Sequence, residues 1–504
     1  MHRILENLKN QSGHAPPARI DSGLEVAPVA VARLRFLDRG EEELVHATSL
    51  KWLENIGVMV KSQKVLTMLE QAGASVDRDK SVAKIPESMV KDAVSKAPKK
   101  ITLGARDPKN EKVIPVDSWP LMTTTGLAVY TYDIDSGERR PTTTKDLANF
   151  SRVADAMDAV DIVWTTVTAG DAPQDALALH SLWTTIRNCT KHIHVIPTPK
   201  GAEEAKRLVD IGALVAGGPE QLRRKPLFSV ISCPIAPLEF EKASIEGQVE
   251  YSKAGIPVVC MSMSLSGMSA PVTICGTLVN INAENLASLV ISQTAAPGAP
   301  FVYSSESAPI DMTTGVMDYA SHNLPMIASG ASQMAKRYGL PAQTGNWGIE
   351  TKVPGIQASF TELLTTVLAS MSGSDMVAGA GSCDAAKGAA LEQVVIDSYL
   401  WMDCRKYMTR FEMSEAAAAT EVVEAVGHGN TFLRHMHTVR NFKKELIFRD
   451  QQKKGWQATL STSMVPEAKA IAKKVLSEHI VPDVDPEVAR NGDAIVAAHI
   501  RTLG

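Results

Sequence analysis

From Trp119 to about residue 405 the chain repeats one rhythm: a short apolar or β-branched run, then a longer stretch whose apolar positions recur at helical spacing. The short runs are LMTTTG (121–126), IVWTTVTAG (162–170), HIHVIPT (192–198), LFSVISCP (227–234), PVVCMSMSL (257–265), PFVYSSES (300–307), LPAQTGN (340–346) and DMVAGAGS (375–382). Between them lie segments such as DLANFSRVADAMDAV, GAEEAKRLVDIGALVAGG and NAENLASLVISQTA, which predict helices. Strand–helix alternation brings strands together in parallel. Eight such units over this length predict an α/β fold, a closed (β/α)8 barrel spanning 119–405.

The flanks read differently. Residues 1–40 mix Pro, Gly and charge and predict a poorly ordered arm. Residues 41–118 predict an α-rich cap: EEELVHATSLKWLENIGV places Leu44, Leu50, Leu53 and Ile56 on one face and stops at Gly57. Two further helices follow near 62–73 and 86–97, then a strand and turn at ITLGARDP. Residues 127–147 alternate like a hairpin around a DSG turn. Residues 406–504 form a charged helical extension, suited to docking on the barrel or to a homo-oligomer contact.

Composition narrows the function. With 52 basic and 56 acidic side chains and a net charge of −4, the chain carries no electrostatic footprint for nucleic acid or an anionic membrane. Its 44% hydrophobic content and 21% charged residues are those of an ordinary globular protein. Residues 1–20 lack the apolar core of a secretory signal, and no long uncharged apolar run stands out, so the expected compartment is the cytoplasm. The six cysteines are widely spaced without a CxxC pair and read as reduced thiols.

Most strand candidates end in Ser, Thr, Gly or Asn, as expected where barrel strands open into a ligand-binding mouth. The same residues also cap helices and form turns. No P-loop or dinucleotide fingerprint occurs, and AGAGSCDAAKG (378–388) reads as a flexible loop before a phosphate cradle. His192/His194 and His428/His435/His437 lack metal-ligand spacing, so no metal is expected. Cys383 reads as a structural thiol before a nucleophile. The stronger lead is the mouth, where Trp164, Tyr303, Trp347, Glu306, Asp311 and Glu350 lie on or just beyond strands. Aromatic faces with one or two carboxylates are what a quaternary ammonium needs, because it has no N–H to donate. For each strand aromatic, the outward alternative is that it packs under the barrel helices.

The stretches TYDIDSGERRPTTTKDLANFSRVADAMDAVD, SAPIDMTTGVMDYAS, TKVPGIQASFTELL, ALEQVVIDSYL and VGHGNTFLRHMHTVRNFKKELIFRD resemble the trimethylamine:corrinoid methyltransferase (MttB) family from about Glu41 onward. The resemblance implies a (β/α)8 barrel that passes a methyl group from an amine to the Co(I) of a partner corrinoid protein, with no tightly bound cofactor of its own. Trimethylamine enzymes of the family carry pyrrolysine in the loop after the seventh strand. Here that loop reads GNWGIETKVPG, all standard residues. The departure directs the reading to quaternary amines, glycine betaine first, with proline betaine, carnitine and trimethylamine as alternatives. Glu306, Glu350 and Asp311 are then the candidate catalytic carboxylates, and Trp164, Tyr303, Trp347, Asn346 and Gln343 the candidate substrate contacts. Asn346, Gln343, Lys352 and strand-end hydroxyls are candidate donors to a betaine carboxylate. Gly379, Gly381 and Ser382 are candidates for close approach of the corrinoid, together with the small residues at 266–270. Two readings of other classes stand beside this one: a barrel lyase or hydrolase using Glu306 or Asp311 as base, and a non-catalytic amine-binding protein.

Overall fold

The computed structural model describes residues 34–198, 200–346, 351–408, 412–445 and 464–502. Eight strands close a barrel: β1 (Leu121–Thr124), β2 (Ile162–Trp164), β3 (His192–Val195), β4 (Phe228–Ser232), β5 (Val258–Ser262), β6 (Phe301–Ser305), β7 (Ala342–Asn346) and β8 (Met376–Ala380). They follow one another around the ring, every neighbouring pair is parallel, and each lies inside one of the eight apolar runs of the sequence. The helices that follow are α1 (Thr144–Ala156), α2 (Leu177–Asn188), α3 (Ala202–Ala216), α4 (Lys242–Ala254), α5 (Ile274–Ala295), α6 (Leu324–Arg337), α7 (Ile356–Ser372) and α8 (Leu391–Met408).

Alternation along each strand divides the core. Ile162, Trp164, Ile231, Val259, Met261, Val302, Met376 and Ala378 pack together inside the barrel. Val230, Val258, Cys260, Phe301, Tyr303 and Ala342 belong to the larger core between strands and helices. An antiparallel hairpin, Ile101–Leu103 with Lys112–Ile114, seals the end where the strands begin. Its Ile101, Leu103 and Ile114 join the inner cluster, and Gly104 N–H donates to Pro226 O just before β4. The N-terminal segment therefore supplies part of the barrel's floor.

The same segment holds its expected helices at Arg39–Asn55, Gln63–Gln71 and Glu87–Lys96. It also holds three short strands (Val58–Val60, Ser75–Asp77, Val82–Lys84) that pair with one another, and the first also pairs with Glu239–Phe240 from the β4–α4 loop. The helix Arg39–Asn55 packs on α5. Among the described residues α5 is the one helix long and apolar enough to cross a membrane, and 83% of its apolar window is buried in this core. The hairpin read at 127–147 forms from Tyr130–Tyr132 and Arg139–Pro141. In the C-terminal extension, Met464–Glu478 lies on α8 and α1, and Pro486–Thr502 lies on α2 and α3. Arg152 of α1 donates to the carbonyls of Leu476 and His479, which fastens the first of these. All six cysteines are free thiols.

Lys191, just before β3, shows how the ring is tied together. It is buried, and its ammonium donates to the carbonyls of Ala154 (2.9 Å), Met157 (2.8 Å) and Val160 (2.7 Å) at the end of α1. These carbonyls have no further helical turn to bond. Lys191→Met keeps the apolar stem and removes the donor. It is expected to lower stability by about 3 kcal/mol, read as an earlier urea transition by circular dichroism. An unchanged midpoint would mean that water replaces the ammonium without cost.

Candidate functional site

The site is built in two layers inside the open end of the barrel. The lower layer comes from β2, β3, β4 and β7. The period-two pattern HIHV turns His192 and His194 to the same inward face, and both are fully buried. His192 Nδ1 lies 2.9 Å from Gly104 O, and its Nε2 lies 2.9 Å from Ser229 Oγ. The same hydroxyl lies 2.5 Å from His194 Nδ1, and His194 Nε2 meets the side-chain amide of Gln343 at 2.9 Å. Burial pushes His192 down to about 4. Burial, helped by its histidine neighbour, pushes His194 down to about 3. Both rings are therefore neutral near pH 7. Trp164 stands edge-on to His194, with ring centroids 6.2 Å apart and planes at 88°. Its Nε1–H has no partner among the described residues.

Gly126, just past β1, makes room for that indole. A Cβ at this position would lie 2.5 Å from Trp164 Nε1. The glycine is required for close approach rather than for its backbone angles.

The upper layer is Glu306, one residue beyond β6. Its N–H donates to Ser262 O at 2.9 Å, which holds the loop to the end of β5. Its side chain is partly buried, and burial pushes the carboxyl up to about 7; a 3.5 Å hydrogen bond from Tyr319 Oη offsets this only in part. No Lys or Arg contributes to that balance among the described residues. Cys233, at the end of β4, is near enough to feel Glu306, but burial holds its thiol up at about 12, so it is no nucleophile.

The hydroxyls at the ends of β5 and β6 are spent on structure. Ser307 Oγ bonds Ser262 O at 3.1 Å and accepts from Ser264 N–H at 2.9 Å, and Ser262 Oγ donates to Glu284 at 2.6 Å. The other rim is a four-stranded sheet in which Ser382–Cys383 and Gly388–Ala389 join the 130–141 hairpin. Between those two short strands, Asp384, Ala385 and Ala386 all adopt left-handed backbone angles (φ 52°, 51° and 62°). Such strain persists only where the surroundings fix it. Arg139 does so by pairing with Asp384 at 2.8 Å while stacking 3.6 Å over Tyr130. Ala385 packs against the small cluster that contains Tyr319. The 378–388 segment is thus a built element, in place of the flexible loop its composition suggested.

The candidates from sequence divide accordingly. Trp164 and Gln343 both meet His194 inside the barrel, and Glu306 follows β6, the strand whose Ser304 pairs with Gln343. Tyr303 does not: it is outward, buried against α5, with its hydroxyl 3.3 Å from Asn282 Oδ1. Asp311 is exposed on the β6–α6 loop, where it accepts from Thr313 N–H (2.7 Å) and Thr314 Oγ1 (3.0 Å). These bonds hold its carboxyl below the usual range and leave it no base-like character. Gly379 lies within β8 at φ 119°. Gly381 sits against Val394, where a Cβ would lie 2.5 Å from its methyl, and Ser382 is buried, so neither offers an open surface. Asn346 ends β7, while Trp347 and Glu350 lie outside the described residues. Lys352 is exposed. Metal-ligand spacing does not point to these histidines or to Ser229; for the histidines the signal in the sequence is their shared face on one strand. Among the described residues, no group of three metal-binding side chains occurs.

Comparisons with known proteins agree with this architecture. The family model described as trimethylamine methyltransferase (MTTB) matches residues 10–504. The trimethylamine methyltransferase MttB of Desulfitobacterium hafniense is 30% identical over 475 residues, covering 93% of this chain and 95% of the relative. A glycine betaine methyltransferase of Desulfitobacterium hafniense is 27% identical over 477 residues, covering 94% and 98%. Among solved structures, the hydroxylamine complex of MtmB superposes with a TM-score of 0.51 at 13% identity, covering 95% of this chain and 93% of that one; this likeness concerns the fold.

The Gly126–Trp164 contact is directly testable. Gly126→Ala is expected to cost about 1–3 kcal/mol by overpacking. In a Trp164→Ala background, where the ring that the new methyl would strike is gone, Gly126→Ala is expected to cost much less in a double-mutant cycle. Additive effects would show that the indole does not rest on Gly126.

Proposed function

The chain belongs to the trimethylamine methyltransferase family, and on that premise we propose that it moves a methyl group from a quaternary amine, glycine betaine first, to the Co(I) of a partner corrinoid protein. The observation that carries this reading is Glu306: a partly buried carboxylate at the barrel mouth with no basic side chain beside it among the described residues. A quaternary ammonium brings the missing positive charge without asking for a hydrogen bond, and the Trp164 ring offers it a face. The loop of standard residues after β7 and the glycine betaine methyltransferase relative favour a betaine over trimethylamine.

The chemistry suits this sparse site. The nucleophile is the partner's reduced cobalt, which attacks the methyl carbon. The C–N bond breaks, its electron pair returns to nitrogen, and the amine leaves neutral. No proton need be supplied, so the protein's part is to orient one methyl toward the mouth and keep water away. A strong ion pair would hinder transfer, because the positive charge on nitrogen disappears in the transition state. A carboxyl poised near neutrality, with one indole, provides moderate binding. The loops on the two rims, 266–270 and 384–387, are the proposed approach for the corrinoid partner.

Purified protein, a Co(I) corrinoid protein and glycine betaine should yield methylated corrinoid and dimethylglycine; no methylation with any quaternary amine would refute the reading. Glu306→Gln keeps the shape and removes the charge. It is expected to raise KM about tenfold, equivalent to ~1.4 kcal/mol, without lowering kcat, since the lost attraction favours the ground state. A fall in kcat at constant KM would instead make Glu306 a proton donor or acceptor. Because only the ionised carboxylate attracts the amine, affinity should weaken as pH falls through about 7, a trend the glutamine variant should lack.

A further inference from the structure

The lower layer contains a hydrogen-bond chain whose protons can be counted. Four contacts run in series: Gly104 O with His192 Nδ1, His192 Nε2 with Ser229 Oγ, Ser229 Oγ with His194 Nδ1, and His194 Nε2 with the Gln343 amide. Each contact needs one proton. Two neutral imidazoles and one hydroxyl supply three. The fourth must come either from the amide of Gln343 or from an extra proton on a histidine. An imidazolium is disfavoured here, because both rings are fully buried and no carboxylate acts on either.

The neutral solution is unique. A backbone carbonyl only accepts, so His192 carries its proton on Nδ1 and leaves Nε2 bare. Ser229 donates to that Nε2 and accepts from His194 Nδ1–H. His194 Nε2 is then bare and must receive an N–H from Gln343. Setting the amide oxygen against His194 would leave one contact without a proton. The two ends of an amide have nearly the same shape, so the proton count decides its orientation. The other end of the Gln343 amide has no partner among the described residues, and the residue is 2% exposed.

We propose that Gln343 presents its carbonyl oxygen to the onium head of the substrate, and that His194 and Ser229 are positioning residues that fix this orientation. The identity of the ligand rests on the quaternary-amine reading; the orientation of the amide does not. In this proposal Gln343, the Trp164 face and Glu306, whose strand β6 pairs with β7 at Ser304 and Gln343, act on one positive charge. Gln343, expected from sequence to donate to a betaine carboxylate, is thereby assigned the opposite end of the ligand.

Two measurements test this on the full-length protein. Nitrogen-15 NMR of labelled histidines, assigned with single His192→Gln and His194→Gln variants, should show both rings as neutral Nδ1–H tautomers near pH 7. Protonation of His194 on Nε2, or an imidazolium at either ring, would overturn the orientation. Calorimetry then compares glycine betaine with 3,3-dimethylbutanoate, the carbon isostere that keeps the carboxylate and has an uncharged head. The wild type should prefer glycine betaine. Gln343→Met should reduce that preference by about tenfold, and Gln343→Glu, whose protonated oxygen can serve His194 while its carbonyl faces the ligand, should retain it. An undiminished preference in Gln343→Met would overturn the assignment. If the tautomers are as expected but glycine betaine does not bind, the amide orientation stands and the onium assignment falls with the substrate reading.

Discussion

A carboxylate drawn into the protein without a cation beside it is a standing electrostatic debt, and among the described residues Glu306 is such a group at the mouth of this barrel. The protein relieves it partly by letting the carboxyl approach neutrality and partly through Tyr319. Full relief requires a positive charge from outside. A quaternary ammonium meets that need and, once it gives up a methyl group, loses the charge that held it. The same electrostatics therefore favours substrate entry and product release.

The rest of the structure holds this group in place. The parallel ring puts the C-terminal ends of all eight strands at one opening, and the 101–114 hairpin seals the other. Hydroxyls of Ser262, Ser264 and Ser307 lock the loops beside Glu306. Across the rim, the left-handed turn at 384–386 is clamped by Arg139 and leans on the cluster around Tyr319. Below, the histidine chain fixes Gln343 from inside the core. Each device is costly in burial or strain.

The barrel was legible in sequence because strands buried on both faces read as apolar runs of recognisable length, and all eight runs became strands. Which residues faced inward was not legible, since the phase of alternation depends on where each strand enters the ring. Trp164 and Tyr303 were equivalent candidates, yet one lies against His194 and the other under α5. Glu306 and Asp311 are only five positions apart; a backbone bond to β5 turns the first inward, while turn-forming bonds hold the second in solvent. The glycines near 380 suggested flexibility, but Gly381 is there because Val394 leaves no room for a side chain. Short strands in the N-terminal segment escaped notice because three residues are too few to show a period.

The central claim is that the substrate's charge is met by Glu306. The most direct measurement is proton release on binding: calorimetric titration with glycine betaine near pH 7 in buffers of different ionisation enthalpy. With a carboxyl at about 7 in the empty site, binding of a fixed cation should expel about half a proton, and Glu306→Gln should expel none. Binding without proton release, or equal release from the glutamine variant, would contradict the account.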